Sequence, residues 1–351
     1  MRVVTVNTKN RYNVYIDKNC LSQVSSLLLS NKIDDSKRIL IITDSNVDKL
    51  YSEKVLSSLK NSGFDSNKFV IKAGEKYKNL STVENIIRYL ADNNYQKKDV
   101  LIALGGGVVG DITGLCASLY MRGIDFVQIP TTLLSAVDAS IGGKTAVDLP
   151  EGKNLIGTFY QPKLVMCDIK VLNSLPSEIF VEGMSEVIKY GIIKDNEILN
   201  LIDENLLNDN LEVVVQKCIE IKSEIVATDE KDIGLRRILN FGHTFAHAIE
   251  KISKYKISHG EAVAEGIIFE TALSYKLSRC DIEYFNYVKK IVNKYFNLHN
   301  LFSFEEIYSA MKSDKKNNND DIKFVVIDGN NHPDVLDVKR KIIEEVYSNM
   351  Y

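Results

Sequence analysis

Three times between residues 38 and 120 a short run of β-branched and aliphatic residues is followed by a segment of helical periodicity, and this alternation constrains the fold more than any other feature of the chain. RILIITD (38–44) precedes a helical pattern over 47–59, KFVIK (68–72) one over 82–90, and DVLIAL (99–104) one over 109–120. DFVQIP (125–130) and KLVMCD (163–168) extend the series. Strands alternating with helices predict a parallel sheet with helices on both faces. Past LNSLPSEIF (172–180) the pattern changes to long 3.6-residue periods over 211–226, 236–252, 260–277 and 282–295, with few strand signals. The change coincides with Leu175-Pro176. An α/β domain is therefore expected over residues 1–178 and an all-α domain over 179–351.

Composition narrows the class. The 351 residues are 45% hydrophobic and 26% charged, as in an ordinary globular protein. A net charge of −3 provides no global field for nucleic acid, so an anionic ligand would need a local cluster of Lys and Arg. The five cysteines, Cys20, Cys116, Cys167, Cys218 and Cys280, are widely spaced and form no C-x-x-C pair, which speaks against both a disulfide framework and a thiolate zinc site. The N-terminal MRVVTVNTKNRYNVYIDKN lacks the apolar centre of a signal peptide. The longest apolar stretch, 100–121, is broken by Gly105-Gly106-Gly107 and Asp111. A soluble protein of the reducing cytoplasm, without nucleic-acid or membrane partners, is expected.

Several short motifs carry chemistry. In ALGGGVVGD (103–111), Gly105, Gly107 and Gly110 satisfy G-x-G-x-x-G between a strand and a helix, where glycines admit a pyrophosphate to the amide-rich helix N-terminus. A dinucleotide fingerprint normally sits on the first βα unit, however, and the same run also suits a tight turn with close helix packing. Glu75, Lys76 and Lys78 in AGEKYK follow a strand and can meet ribose or phosphate, although charged loops are commonly only solvated. Asp44 ends RILIITD, where strand ends face the ligand crevice. Between 128 and 161, Asp138, Lys144 and Lys153 stand among glycines and hydroxyls, which points to an anion-binding or catalytic loop. In GMSEVIKYG, Glu186 and Lys189 are i, i+3 on a short helix, either a site pair or a surface ion pair. Arg236 and Asn240 are i, i+4, one turn ahead of His243.

Three of the five histidines, His243, His247 and His259, fall within seventeen residues. His243 and His247 are i, i+4, so on a helix their rings lie about 40° apart around the axis. That spacing suits a zinc pair, and equally two mildly polar groups packed on a neighbouring element.

Read in order, AGEKYK (73–78), LGGGVVGD, QIPTTLLSAVDASIGGKTAV, GKNLIGTFYQP, EVIKYG, DEKDIGLRRILNFGHTFAHAIE, HGEAV and DKK (314–316) resemble the 3-dehydroquinate synthase family of sugar-phosphate cyclases, over about four fifths of the chain. The resemblance implies a Rossmann-like NAD-binding α/β domain, an all-α metal-binding domain, and cyclisation of 3-deoxy-D-arabino-heptulosonate 7-phosphate to 3-dehydroquinate in the shikimate pathway. NAD would be oxidant and then reductant, with no net turnover. Glu186, His243 and His259 are implied as ligands of a divalent metal, Zn2+ or Co2+. Three N/O ligands leave the open position a catalytic metal needs. His247 is implied at the substrate phosphate. Lys144, Lys189, Lys222, Arg236, Asn240 and one of Lys315 and Lys316 are implied at the substrate, Asp138 as a catalytic residue toward the nicotinamide, and Asp44, Glu75, Lys78, Gly106, Gly107, Val108, Val109, Gly110, Asp111, Thr131, Thr132, Lys144, Lys153 and Asn154 at NAD. Arg122, in YMRG, matches an arginine that reaches a neighbouring subunit, so a homodimer is implied. Ser185, Ala246 and Asp148 depart from the residues usual in the family, and none removes an implied ligand. The rival readings are another NAD- and metal-dependent sugar-phosphate cyclase, a metal-dependent polyol dehydrogenase, and a catalytically dead binding scaffold.

Overall fold

The computed structural model describes residues 1–297, 302–314 and 321–350. The chain divides into two compact units, one comprising Met1–Pro176 with Lys222–Lys231 and the other Ser177–Ile221 with Asp232–Tyr351. Residues 222–231, which the sequence pattern assigns to the second half, thus cluster with the first.

The first unit is built on a seven-stranded sheet. In chain order its strands are β1 (Arg2–Val6), β2 (Tyr12–Asp17), β3 (Ile39–Asp44), β4 (Ser66–Ile71), β5 (Val100–Gly105), β6 (Asp125–Pro130) and, after a separate two-stranded hairpin of β7 (Lys144–Leu149) and β8 (Gly152–Phe159), β9 (Leu164–Asp168). The spatial order is β1-β2-β9-β6-β5-β3-β4, parallel throughout except for β1 against β2. Strand β5 is buried along its whole length, as are the first five residues of β3, so both strands read as continuous apolar runs rather than alternating ones. Helices α1 (Val24–Ser30), α2 (Glu53–Asn61), α3 (Leu80–Asp92) and α4 (Gly107–Leu119) connect the strands. Asn79 caps α3 by accepting from the amide of Thr82 at 3.0 Å. A core of Leu40, Leu101 and Phe126 from the sheet, Ile86 from α3, and Ile112 and Leu115 from α4 joins both helices to the sheet. From β3 the chain goes first to β4 on one side and then to β5 on the other. The order therefore reverses between the carboxyl ends of β3 and β5, the position at which open α/β sheets bind ligands.

The second unit is helical: α5 (Ser177–Ile193), α6 (Asn196–Asp203), most of α7 (Leu211–Thr228), α8 (His243–Ile252), α9 (His259–Lys276), α10 (Ile282–Val292), α11 (Phe304–Asp314) and α12 (Arg340–Met350). An antiparallel hairpin of β10 (Asp321–Val326) and β11 (Asp334–Lys339) is added to this otherwise helical unit. Strand β11 interrupts its apolar residues with Asp334, Asp337 and Lys339, and β10 has only the short apolar run Phe324-Val325-Val326 after Asp321 and Lys323. The expected helix over 236–252 is also interrupted. Leu235–Asn240 is a 3-10 turn, and α8 starts only after Gly242, whose φ of 81° no helix can contain. Among the described residues, no helix is long and apolar enough to cross a membrane.

Candidate metal and nucleotide sites

Two clusters form, one in each unit. In the second unit, Glu186, His243 and His259 each offer one ligand atom, all within 4.8 Å of one another. Nε2 of His243 lies 3.3 Å and Nε2 of His259 3.6 Å from the same oxygen, Oε1 of Glu186. Glu186 does not sit on a short surface helix. Helix α5 runs straight through Gly183 and Gly191, and Glu186 and Lys189 are both buried. The Lys189 ammonium is ion-paired with Oε2 of Glu186, without a hydrogen bond of good geometry.

Local sequence and backbone approach bring these side chains together. Ser258 and Glu261 form a capping box, with the Ser258 hydroxyl accepting from the Glu261 amide and the Glu261 carboxylate from the Ser258 amide, so α9 begins at His259. Gly260 lets that end press on α5, since a Cβ there would lie 2.5 Å from Cα of Glu182, one turn before Glu186. On the same helix a Cβ at Gly266 would lie 1.8 Å from the Gly242 carbonyl oxygen. The left-handed Gly242 thus tucks under α9 and delivers His243, the first residue of α8, to the cluster.

The electrostatics follow from burial and neighbours. Burial works against a charge on Glu186, but the Lys189 ammonium and His243 outweigh it and hold the carboxyl well below its usual range. Burial and the nearby ammonium lower His243, with Glu186 opposing. His259 is also pulled down by burial, yet hydrogen bonding to Glu186 and to Glu250 brings it up to about 9. One carboxylate and two imidazole nitrogens converging on a point form the donor set of a catalytic zinc or cobalt site, and the residues fit such a metal.

His247 is set apart from the cluster. It is exposed, with its ring 5.7 Å from that of His243 and nearly perpendicular to it. Arg236 is buried and Asn240 exposed in the turn before α8, so their i, i+4 spacing is not that of one helical face. Lys315 and Lys316 lie outside the described residues.

In the first unit, Lys78, Asp111 and Asn154 meet. The Lys78 ammonium donates to Oδ1 of Asn154 at 2.6 Å and pairs with Oδ2 of Asp111 at 2.6 Å. Asp148 completes the arrangement, its amide donating to the Lys78 carbonyl at 2.8 Å and its carboxylate accepting from the Asn154 amide at 2.8 Å. The segment expected as a loop over 128–161 therefore includes the β7–β8 hairpin, whose turn is tied to Lys78. Gly106 caps α4 in extended conformation, leaving the amides of the Gly107-Val108-Val109 turn at the helix end, and the amide of Gly110 bonds to the Gly106 carbonyl at 3.0 Å. Thr131 and Thr132 follow β6 beside this loop. The Thr131 amide donates to the Gly105 carbonyl at 3.0 Å, and a Cβ at Gly106 would lie 3.0 Å from Cγ2 of Thr132. Asp44 lies at the end of β3 and accepts from the amides of Asn46 and Val47 at 2.8 and 3.1 Å. Glu75 is exposed beside Lys78. The switch point thus carries backbone donors, one buried ammonium and several carboxylates, which fits a dinucleotide.

Asp138 and Lys222 also meet in this unit, with Lys222 Nζ 2.9 Å from Oδ1 of Asp138 and 2.6 Å from its carbonyl oxygen. Lys144 stands exposed at the start of β7 and Lys153 is half-buried near the start of β8. Arg122 is exposed, and it and Met121 take left-handed φ values of 62° and 48°.

Fold and clusters together define a class of synthase: an open α/β sheet with a glycine-rich loop at its switch point, and a helical unit with one carboxylate and two imidazoles. A 2-deoxy-scyllo-inosose synthase solved with carbaglucose-6-phosphate, NAD+ and Co2+ shares this fold, with a TM-score of 0.86 at 24% identity over 98% of this chain and 99% of that one. So does the 2-epi-5-epi-valiolone synthase of Streptomyces hygroscopicus, solved with NAD+ and Zn2+, with a TM-score of 0.86 at 26% identity over 97% and 96%. The chain belongs to the 3-dehydroquinate synthase family, a family of lyases. The family's N-terminal profile matches residues 68–182 and its C-terminal profile residues 183–317. A 3-dehydroquinate synthase of Clostridium kluyveri is 42% identical over 100% of this chain and 99% of its own.

Sequence reasoning passed over Glu250, Gly242, Gly260 and Gly266. The serine–glutamate pair around His259 was a legible start signal for α9, but close backbone approach leaves no mark on a single sequence. Gly260→Ala is expected to cost about 2 kcal/mol in urea unfolding, because the methyl meets the α5 backbone rather than a flexible side chain; wild-type stability in the variant would contradict this packing. A second expectation concerns pH. Burial pushes the Asp111 carboxyl up to about 6 while Lys78 opposes it, and nearby Glu75 and Asp148 add to the rise. A carboxyl raised above its unfolded value of 3.8 retains its proton in the native state after the unfolded chain has lost it. Its contribution is therefore full below that value and lost as pH rises through about 6. Asp111→Asn should flatten that part of the profile, measured by urea unfolding at pH 4.5 and 7; parallel profiles in the two proteins would exclude it.

Proposed function

We propose that this protein converts 3-deoxy-D-arabino-heptulosonate 7-phosphate to 3-dehydroquinate and phosphate in aromatic biosynthesis, with NAD as a recycled cofactor and one divalent metal, Zn2+ or Co2+. The observation that carries the reading is the convergence of Glu186, His243 and His259 beside the buried Lys189, in a chain whose full-length relatives have this activity. The NAD+ and the Co2+ or Zn2+ named for the two solved synthases support the cofactor assignment.

When bound, NAD supplies a hydride acceptor that becomes the donor, and the metal supplies a Lewis acid for the substrate's C5 hydroxyl. Glu186, His243 and His259 hold the metal. Asp44, Glu75, Lys78, the 106–111 loop, Thr131, Thr132, Lys153 and Asn154 hold NAD. Lys144, Lys189, Lys222, Arg236 and Asn240 take the substrate's carboxylate and phosphate, local positive charges that the acidic chain lacks overall. Asp138, 2.9 Å from the Lys222 ammonium, orients that lysine. His247, outside the donor set and exposed one turn after His243, moves the proton between substrate and phosphate. The sequence resemblance extends this reading to a homodimer in the cytoplasm with Arg122 at the partner's site, and to a division of labour between domains over 1–178 and 179–351.

The decisive measurement is phosphate release from the heptulosonate phosphate, with and without chelator. Activity that needs catalytic NAD, disappears with chelator and accumulates no NADH is expected. His243→Ala and His259→Ala should lose both metal and activity, while His247→Ala retains metal and loses on the order of 100-fold or more in rate. Turnover of glucose 6-phosphate or sedoheptulose 7-phosphate instead would move the substrate assignment, and steady NADH accumulation would indicate a dehydrogenase.

A further inference from the structure

Glu250 has no part in the reading above. It ends the HTFAHAIE run on α8, seven residues after His243 and so two turns along the same face. It is 4% exposed, and its Oε1 lies 3.5 Å from Nδ1 of His259. The opposite nitrogen of that ring, Nε2, faces Oε1 of Glu186 at 3.6 Å. His243 repeats the arrangement, with Nδ1 3.1 Å from the Phe241 carbonyl oxygen and Nε2 3.3 Å from the same Glu186 oxygen. Both imidazoles therefore turn Nδ1 to an acceptor and Nε2 to the cluster.

A carboxylate and a carbonyl only accept hydrogen bonds, so each Nδ1 has an acceptor for a ring proton, and with a metal between Nε2 and Glu186 the Nε2 lone pair would be the one left to bind it. A carboxylate behind a ligating imidazole fixes its orientation and raises its basicity. The backbone locks Glu250 in place for this. Its carbonyl accepts from the Tyr255 amide at 2.7 Å and from the Ser253 hydroxyl at 3.0 Å, in a tight turn where Lys254 and Tyr255 have φ of 54° and 60°. We propose that Glu250 is a positioning residue that grips Nδ1 of His259 and so presents Nε2 to the divalent metal. One helix thereby carries a ligand, His243, and the group that aims a second ligand from α9. This role rests on the metal reading above.

The test titrates Co2+ into metal-free wild type and Glu250→Gln, following the visible Co2+ absorption against a competing chelator. The variant is expected to bind Co2+ on the order of 10–100-fold more weakly, with an unchanged NAD dissociation constant and a metal-free thermal midpoint close to that of wild type. Saturable binding of equal affinity in both proteins overturns the role of Glu250 alone, as does a lowered midpoint with unchanged Co2+ affinity. A wild type that shows no saturable Co2+ signal overturns the metal reading and the positioning role with it. If Glu250→Gln does not fold, the wild type decides: in the zinc-loaded protein labelled with 15N-histidine, His259 should show a protonated Nδ1 and a metal-bound Nε2, and metal on Nδ1 overturns the proposal.

Discussion

The Glu186–His243–His259 cluster depends on two places where backbones touch without an intervening side chain. At Gly260 the start of α9 rests on α5 at Glu182, and at Gly266 the same helix rests on the carbonyl of Gly242. The three donors come from three helices, and helices normally pack 8–10 Å apart, too far for short side chains to meet at one atom without help. Removing Cβ at the crossing points brings the axes close enough for a glutamate and two histidines to converge. A methyl at either position meets backbone, which has no rotamer to yield.

Charge is arranged differently in the two units. In the helical unit a carboxylate is kept ionised by a neighbouring ammonium and two imidazoles, while His243 is kept neutral by burial and by the same ammonium. The ionised carboxylate and the neutral His243 are in the forms that bind a metal, whereas His259, held up at about 9, must release a proton to ligate one. In the sheet unit one ammonium, that of Lys78, is surrounded by Asp111, Glu75 and Asp148. Burial works against its charge, but the three carboxylates outweigh burial and its affinity for a proton rises, whereas Asp111 is buried beside one cation and two other acids and its own rises too.

Legibility in the sequence followed burial and locality. Strands β3 and β5 are covered on both faces and read as apolar runs, and α9 announces its start through Ser258 and Glu261. The hairpins were illegible for the opposite reason. Strand β8 is glycine-containing and largely open, and β11 alternates with acids, so neither carries the apolar signature of a buried strand. The 236–252 region has a helical period throughout, and only the left-handed backbone at Gly242 reveals the break. Glu186 and Lys189 read as an ordinary i, i+3 pair because nothing in their spacing says that α5 is buried on this side.

The sequence by itself determined the class of the two halves, the strand–glycine–helix loop at 103–111 and, through family resemblance, which histidines to group with Glu186. These are matters of period, turn chemistry and residue order, which are local. Tertiary structure alone decided that both histidines turn Nε2 to a single oxygen, that Glu250 stands behind His259, that Lys78 joins Asp111 and Asn154, and that Lys222 meets Asp138. Each depends on the distance between segments remote in the chain, set by packed backbones and left open by residue order alone.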